Sequence, residues 1–141
     1  KDWALGGAYN FGVATVKATY QNSKTEVAGD NLGTNKTWSL GVAAPVSAAG
    51  TVVASYASTK VEFDGTNQLS DSNKANSWTV AYLHALSKRT TAYAGYNRVT
   101  NGDNLGFSTA SDAYGSLGSQ ATKLGNGATS SVAVVGLNHK F

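Results

Sequence analysis

Apolar and polar residues alternate along most of this chain in bursts of roughly 9–11 residues, the length of a tilted membrane-crossing strand. Seven bursts are legible: Asp2–Asn10, Val13–Asn22, Thr37–Ala44, Thr51–Phe63, Ser77–Leu86, Thr91–Val99 and Ser130–Phe141. In the second, Ala14, Val16, Ala18 and Tyr20 share one side, and Thr15, Lys17, Thr19 and Gln21 share the other. In the last, Ala133, Val135, Leu137, His139 and Phe141 oppose Val132, Val134, Gly136, Asn138 and Lys140. The period is 2 rather than 3.6, and glycine interrupts it often, so the pattern predicts strands and no helices.

The connections sort by parity. Phe11-Gly12, Val46–Gly50 and Ser87–Thr90 are short, whereas Ser23–Lys36, Asp64–Asn76 and Thr100–Thr129 are long and polar. Short turns at one end and long loops at the other predict an antiparallel up-and-down transmembrane β-barrel, its short turns periplasmic and its long loops extracellular. A soluble sandwich has no reason to sort its connections this way.

That orientation places Trp3, Trp38 and Trp78 at the outer ends of three downward strands, with Tyr20 and Tyr96 at the same level and Tyr56 somewhat deeper. Tyr9, Tyr82 and Phe141 fall toward the periplasmic end. Two aromatic girdles are therefore expected, because indole and phenol rings prefer the membrane interface. Ala14, Val16, Ala18, Leu40, Val42, Val80, Val135 and Leu137 are expected to meet lipid. Thr15, Lys17, Thr19, Ser39, Ser55, Thr79, Tyr93, Asn97 and Asn138 are expected to line a lumen. An odd strand number does not close a bacterial single-chain barrel, and an open edge in lipid leaves backbone groups unpaired. Residues 1–141 are therefore expected to be the C-terminal portion of one larger barrel domain.

Composition narrows the chemistry. The chain has 16 Gly, one Pro and no Cys, which removes disulfides, zinc–thiolate sites and thiol nucleophiles together. No apolar run approaches the roughly 20 residues of a transmembrane helix, a fact that says nothing about barrels. No signal peptide opens the chain, so Lys1 reads as a processed, truncated or engineered start. The net charge is only +3 and its basic residues are dispersed, so nucleic acid is not expected as a partner.

No cofactor or metal is expected. His84 and His139 lie on non-adjacent strands, and Asp64, Asp71, Asp103 and Asp112 lack the spacing of a calcium loop. Ser, Asp and His are present without a nucleophile elbow, so an enzyme is not expected. Lys17 stands out: it lies mid-strand at inward parity, and a lysine at the bilayer midplane would cost about 2–4 kcal/mol. Facing water instead, it would raise the local anion concentration. Arg98 has outward parity, close enough to the outer rim to snorkel toward headgroups.

Three segments together resemble the β-proteobacterial general porins, the Gram-negative trimeric family of neisserial and Comamonas type. Leu86-Ser87-Lys88-Arg89-Thr90-Thr91-Ala92-Tyr93-Ala94-Gly95-Tyr96 resembles that family's periplasmic turn and following strand. Val135-Gly136-Leu137-Asn138-His139-Lys140-Phe141 is similar to its C-terminal strand, and Trp3–Tyr9 with Gly12-Val13-Ala14 to one of its hairpins. The resemblance implies 16 strands, of which these are the last seven, assembled as a homotrimer in the bacterial outer membrane. It also implies passive diffusion of ions and small hydrophilic solutes. The terminal Phe141 further resembles the signal read by the outer-membrane assembly machinery.

Two other readings stand beside the pore. A structural or adhesive outer-membrane domain, such as an anchor or autotransporter-type translocator, would have a plugged interior. The small inward residues (Ser39, Gly41, Ala43, Ser55, Ala57, Thr79, Ala81, Gly95) favour an open lumen. An outer-membrane hydrolase would need a clustered catalytic set that the sequence does not offer. The long loops are nearly charge-balanced. The positive excess therefore comes from the wall and the periplasmic side, through Lys17, Lys88, Arg89 and Lys140, which predicts a mild anion preference.

Overall fold

Seven strands run β1 (Asp2–Asn10), β2 (Thr15–Val27), β3 (Asp30–Pro45), β4 (Gly50–Phe63), β5 (Lys74–Ala85), β6 (Thr90–Asn101) and β7 (Thr129–His139). They come from a computed structural model that describes residues 1–27, 30–63, 73–103, 105 and 125–141, without the side chains of 25–32 and 63. Each strand pairs antiparallel with its sequence neighbours, giving one sheet in the order β1-β2-β3-β4-β5-β6-β7. Among the described residues β1 and β7 do not pair, so the sheet is a meander with two open edges.

Local chemistry sets the turns at one end. Asn10 Oδ1 accepts the Gly12 N–H at 2.7 Å, and Gly12 takes φ +87°, a left-handed conformation that glycine reaches without a Cβ clash. Ser87 Oγ accepts from Thr90 N at 3.0 Å and from Arg89 N at 3.2 Å, closing the turn between β5 and β6. Val46 N donates to Gly50 O at 2.9 Å between β3 and β4.

The other end differs from the sequence expectation. Most of Ser23–Lys36, expected as a loop, is strand: pairing continues from Asn22↔Lys36 up to Val27↔Asp30, with a register shift at Thr25/Glu26. β4, β5 and β6 hold close to their expected bounds, while β2 starts at Thr15 rather than Val13. The physical reason is that backbone pairing does not end where apolar alternation ends. Once a hairpin leaves the hydrocarbon, both of its faces meet water, and Ser, Thr, Asn and Lys then occupy both parities. The sequence signal disappears while the ladder continues.

The sheet is a single layer. Among the described residues the buried apolar ones are only Ala75, Val99 and Leu105, and no side chain is fully buried. The whole of β1 is exposed, and large apolar side chains stand uncovered along one parity, Leu5 at 71%, Leu137 at 67% and Val135 at 81%. An uncovered apolar face of this extent requires a partner phase or surface.

Candidate functional site

Register assigns every strand residue to one of two faces. On the first, cross-strand rows read Gly7–Ala18–Leu40–Tyr56–Trp78–Arg98 and Tyr9–Val16–Val42–Ala54–Val80–Tyr96–Ala133. Below these runs Ala44–Val52–Tyr82–Ala94–Val135. All eight residues expected to meet lipid carry this parity, seven of them within the paired ladder.

An aromatic belt crosses this face. Trp3 packs on Tyr20 with ring centroids 5.2 Å apart, Trp38 on Tyr56 at 5.4 Å, and Trp78 on Tyr96 at 5.2 Å, with interplanar angles of 40–45° in all three. Between these pairs, Tyr20 lies directly opposite Trp38 and Tyr56 directly opposite Trp78. Six rings on six consecutive strands thus form one band. Tyr56 belongs to this band rather than deeper, as counting along its own strand suggested.

The band slants through the register. Moving from Tyr20 to Tyr56 to Tyr96, it drops two residues for every two strands crossed. One residue per strand is ~3.3 Å along against ~4.8 Å across, so strands cross a level band at about 35°. That is the tilt of outer-membrane barrel strands, roughly 35–45°. A second group of rings lies toward the short turns. Tyr9 meets Phe11 at 4.6 Å, Tyr82 meets His84 at 5.9 Å, and His139 meets Phe141 at 5.1 Å. Along β1 the rise from Trp3 to Phe11, tilted as above, spans about 22 Å, close to the ~25 Å apolar band of such barrels. Phe11 was not expected as a girdle member, whereas the outward parity of His84 and His139 near the periplasmic end suited interfacial imidazoles. Phe11 was hidden by its place in a turn, although its parity with Tyr9 was readable.

The opposite face carries the hydroxyl and amide side chains, with one row of small and branched apolar residues, Ala43–Val53–Ala81–Gly95–Val134, toward the short turns. One row reads Ala8–Lys17–Gly41–Ser55–Thr79–Asn97–Val132, and the next Gly6–Thr19–Ser39–Ala57–Ser77–Val99–Ser130. Thr15, Tyr93 and Asn138 carry the same parity, so all nine residues expected to line a lumen share this face. Their side chains bond along the wall. Thr19 Oγ1 and Ser39 Oγ are 2.6 Å apart, Thr37 and Thr59 hydroxyls 2.9 Å, and Asn97 Nδ2 lies 2.6 Å from Thr79 Oγ1 and 3.1 Å from Ser77 Oγ. Lys17 is exposed between Ala8 and Gly41, and no ion pair engages it among the described residues. Lys17 lies three residues below Tyr20 in the band, and Tyr93 three below Tyr96, so the two stand at one depth.

Lys36 and Glu62 form an ion pair of 2.8 Å at the long-loop end of the apolar parity, beyond the band. The hydrogen bonds that Lys36 Nζ donates to the Glu62 carboxylate raise the Lys36 pKa above the ordinary lysine value; desolvation opposes this, and the charge of Glu62 adds to it. His84 Nδ1 lies 3.0 Å from Tyr82 Oη, and His139 Nδ1 2.9 Å from Thr90 Oγ1. Both imidazoles sit on the apolar parity, and no group of three metal-ligating side chains occurs among the described residues. Asp64, Asp71 and Asp112 lie outside the described residues.

A tilted antiparallel sheet, apolar between two aromatic bands on one face and hydroxyl-rich on the other, defines the wall of a transmembrane β-barrel. Residues 1–104 match the Gram-negative porin family, and the chain belongs to it. Over 101 residues it is 36% identical to outer membrane porin protein 32 of Delftia acidovorans, an alignment covering 70% of this chain and 26% of that relative. The chain thus spans about a quarter of the length of the curated relative it matches. No solved structure matches it significantly. Its place is the bacterial outer membrane.

Proposed function

We propose that this chain supplies part of the wall of a water-filled pore for passive diffusion of ions and small hydrophilic solutes. The observation that carries the reading is the pair of hydrogen-bonded polar clusters on the face opposite the aromatic belt: the Thr19–Ser39 and Ser77–Thr79–Asn97 bonds hold small polar side chains along the wall. Side chains of that size leave a lumen open, whereas a plugged barrel needs bulk directed inward. Thr15, Lys17, Thr19, Ser39, Ser55, Thr79, Tyr93, Asn97 and Asn138 line it.

In this reading the two open edges are completed by further strands of the same protein, residues 1–141 forming seven of sixteen. The family resemblance adds a homotrimer and recognition of Phe141 by the assembly machinery. Lys17, without an ion-pair partner among the described residues, adds fixed positive charge and a mild anion preference. Bilayer recording of the full-length protein tests the pore. Stepwise conductance rising with salt concentration supports it, and insertion without conductance contradicts it.

A further inference from the structure

The long β6–β7 connection leaves the sheet through a narrow neck. Asn101 Nδ2 donates to Ala128 O at 2.7 Å, and Gly127 N donates to both Leu105 O at 3.0 Å and Gly102 O at 3.2 Å. Leu105 N donates in turn to Gly102 O at 2.9 Å, and Gly102 N to Lys74 O at 2.7 Å, which ties the neck to β5. Asn101, its strand partner Ala75, and Leu105 are all buried there.

Two Asn-Gly steps, Asn101-Gly102 and Asn126-Gly127, meet across this neck, and their surroundings differ. An Asn-Gly step is prone to intramolecular attack, because a glycine nitrogen with no Cβ beside it closes readily on the preceding side-chain amide. At Asn101 both reacting groups are held. Its side chain is buried and donates to Ala128 O, and the Gly102 nitrogen keeps its proton in a 2.7 Å bond. At Asn126 the side chain is exposed and makes no hydrogen bond among the described residues. The Gly127 proton is shared between two carbonyls at 3.0 and 3.2 Å, and Gly127 sits at φ +77°, a conformation that leaves its nitrogen free of Cβ hindrance.

We infer that Asn126 is a site of spontaneous deamidation and isomerisation, and that its conversion unfastens the neck. The Gly127 nitrogen, its proton lost to solvent base, attacks Cγ of Asn126. The Cγ–Nδ2 bond breaks, and the nitrogen leaves as ammonia with a proton taken from water, which closes a succinimide ring. Water then adds to one of the two imide carbonyls and opens the ring to aspartate or to isoaspartate. The balance needs only water. In the isoaspartyl product the main chain runs through Cβ and Cγ and is one atom longer, so the Gly127 N–H no longer meets Gly102 O and Leu105 O together. Either product also brings a carboxylate to the neck near Asp103, whose Oδ1 lies 3.2 Å from where a Gly127 Cβ would stand, and two carboxylates there repel. The inference is independent of the pore being open.

The test uses the assembled full-length porin in detergent, incubated at mildly alkaline pH and sampled over time. Peptide mapping by mass spectrometry counts amide-to-acid conversion at each asparagine, and labelling with an isoaspartyl methyltransferase identifies the isomer. Conversion at Asn126 should be at least about tenfold faster than at Asn101, a ratio that one additional hydrogen bond to open is enough to give. Asn126→Gln, whose longer side chain closes its ring far more slowly, should abolish labelling at this position. Amide hydrogen exchange at Gly127 should be faster in aged wild type than in fresh protein, and should not change on ageing in Asn126→Gln. Absence of conversion at Asn126, a rate no higher than that of Asn101, or unchanged exchange at Gly127 after conversion overturns the inference.

Discussion

Tyr93 on β6 lies across Gly136 on β7: a Cβ added at Gly136 would stand 2.5 Å from both Cζ and Oη of the tyrosine. The two are directly paired on the polar face, so the ring lies along the wall over its neighbour's missing side chain. This covers an otherwise bare stretch of backbone, the device by which aromatic residues rescue glycines in sheets. It also keeps the phenol from standing out from the polar face. Gly136→Val should push the ring off the wall and destabilise the β6–β7 pairing by about 1–3 kcal/mol. Urea unfolding in lipid vesicles should show this loss, and Tyr93→Ala in the same background should recover part of it. A Gly136→Val protein as stable as wild type would mean that the ring does not occupy this place.

The tilted Trp–Tyr pairs carry a second expectation. Trp78 and Tyr96 should couple by roughly 0.5–1.5 kcal/mol beyond their separate contributions. The measurement is a double-mutant cycle of Trp78→Ala and Tyr96→Ala on unfolding in vesicles. Strictly additive losses would reduce the belt to independent interfacial anchors.

Much of this architecture was legible because period-2 alternation is enforced wherever one face meets hydrocarbon. Trp78-Thr79-Val80 assigns its own faces without any neighbour. The extension of β2 and β3 past Asn22 and Lys36 was not legible, since residues with water on both sides carry no parity. The level of Tyr56 was missed for a different reason. Depth in a tilted sheet depends on register between strands, and register is a relation between segments that neither segment contains.

Phe141, fully exposed and stacked edge-on against His139 at 5.1 Å, closes the inner group of rings. Deleting it should lower the yield of assembled protein in outer membranes, both by loss of the proposed assembly signal and by loss of an interfacial anchor. Heat-modifiable mobility of membrane extracts measures the yield. Unchanged assembly without Phe141 would remove it from both roles.

Lys17 should tune selectivity. Replacing it with glutamate exchanges one fixed positive charge on the wall for a negative one, so the reversal potential in a salt gradient should move toward cation preference. The shift should shrink at high ionic strength, where the Debye length falls to ~3 Å at 1 M. A reversal potential identical to wild type would mean that Lys17 does not set selectivity.

The two-faced wall is tested most directly by cysteine placement, since the chain has no native cysteine. Ser55 and Thr79 are directly paired on one face, and Ala54 and Val80 directly paired on the other. In the full-length protein in intact outer membranes, Ser55→Cys and Thr79→Cys should react with a small water-soluble thiosulfonate and lose conductance on modification. Ala54→Cys and Val80→Cys, one residue away on each strand, should be protected from that reagent and accessible to a lipid-soluble one. Equal reaction of all four with the water-soluble reagent, or protection of Thr79→Cys with labelling of Val80→Cys, would contradict the account.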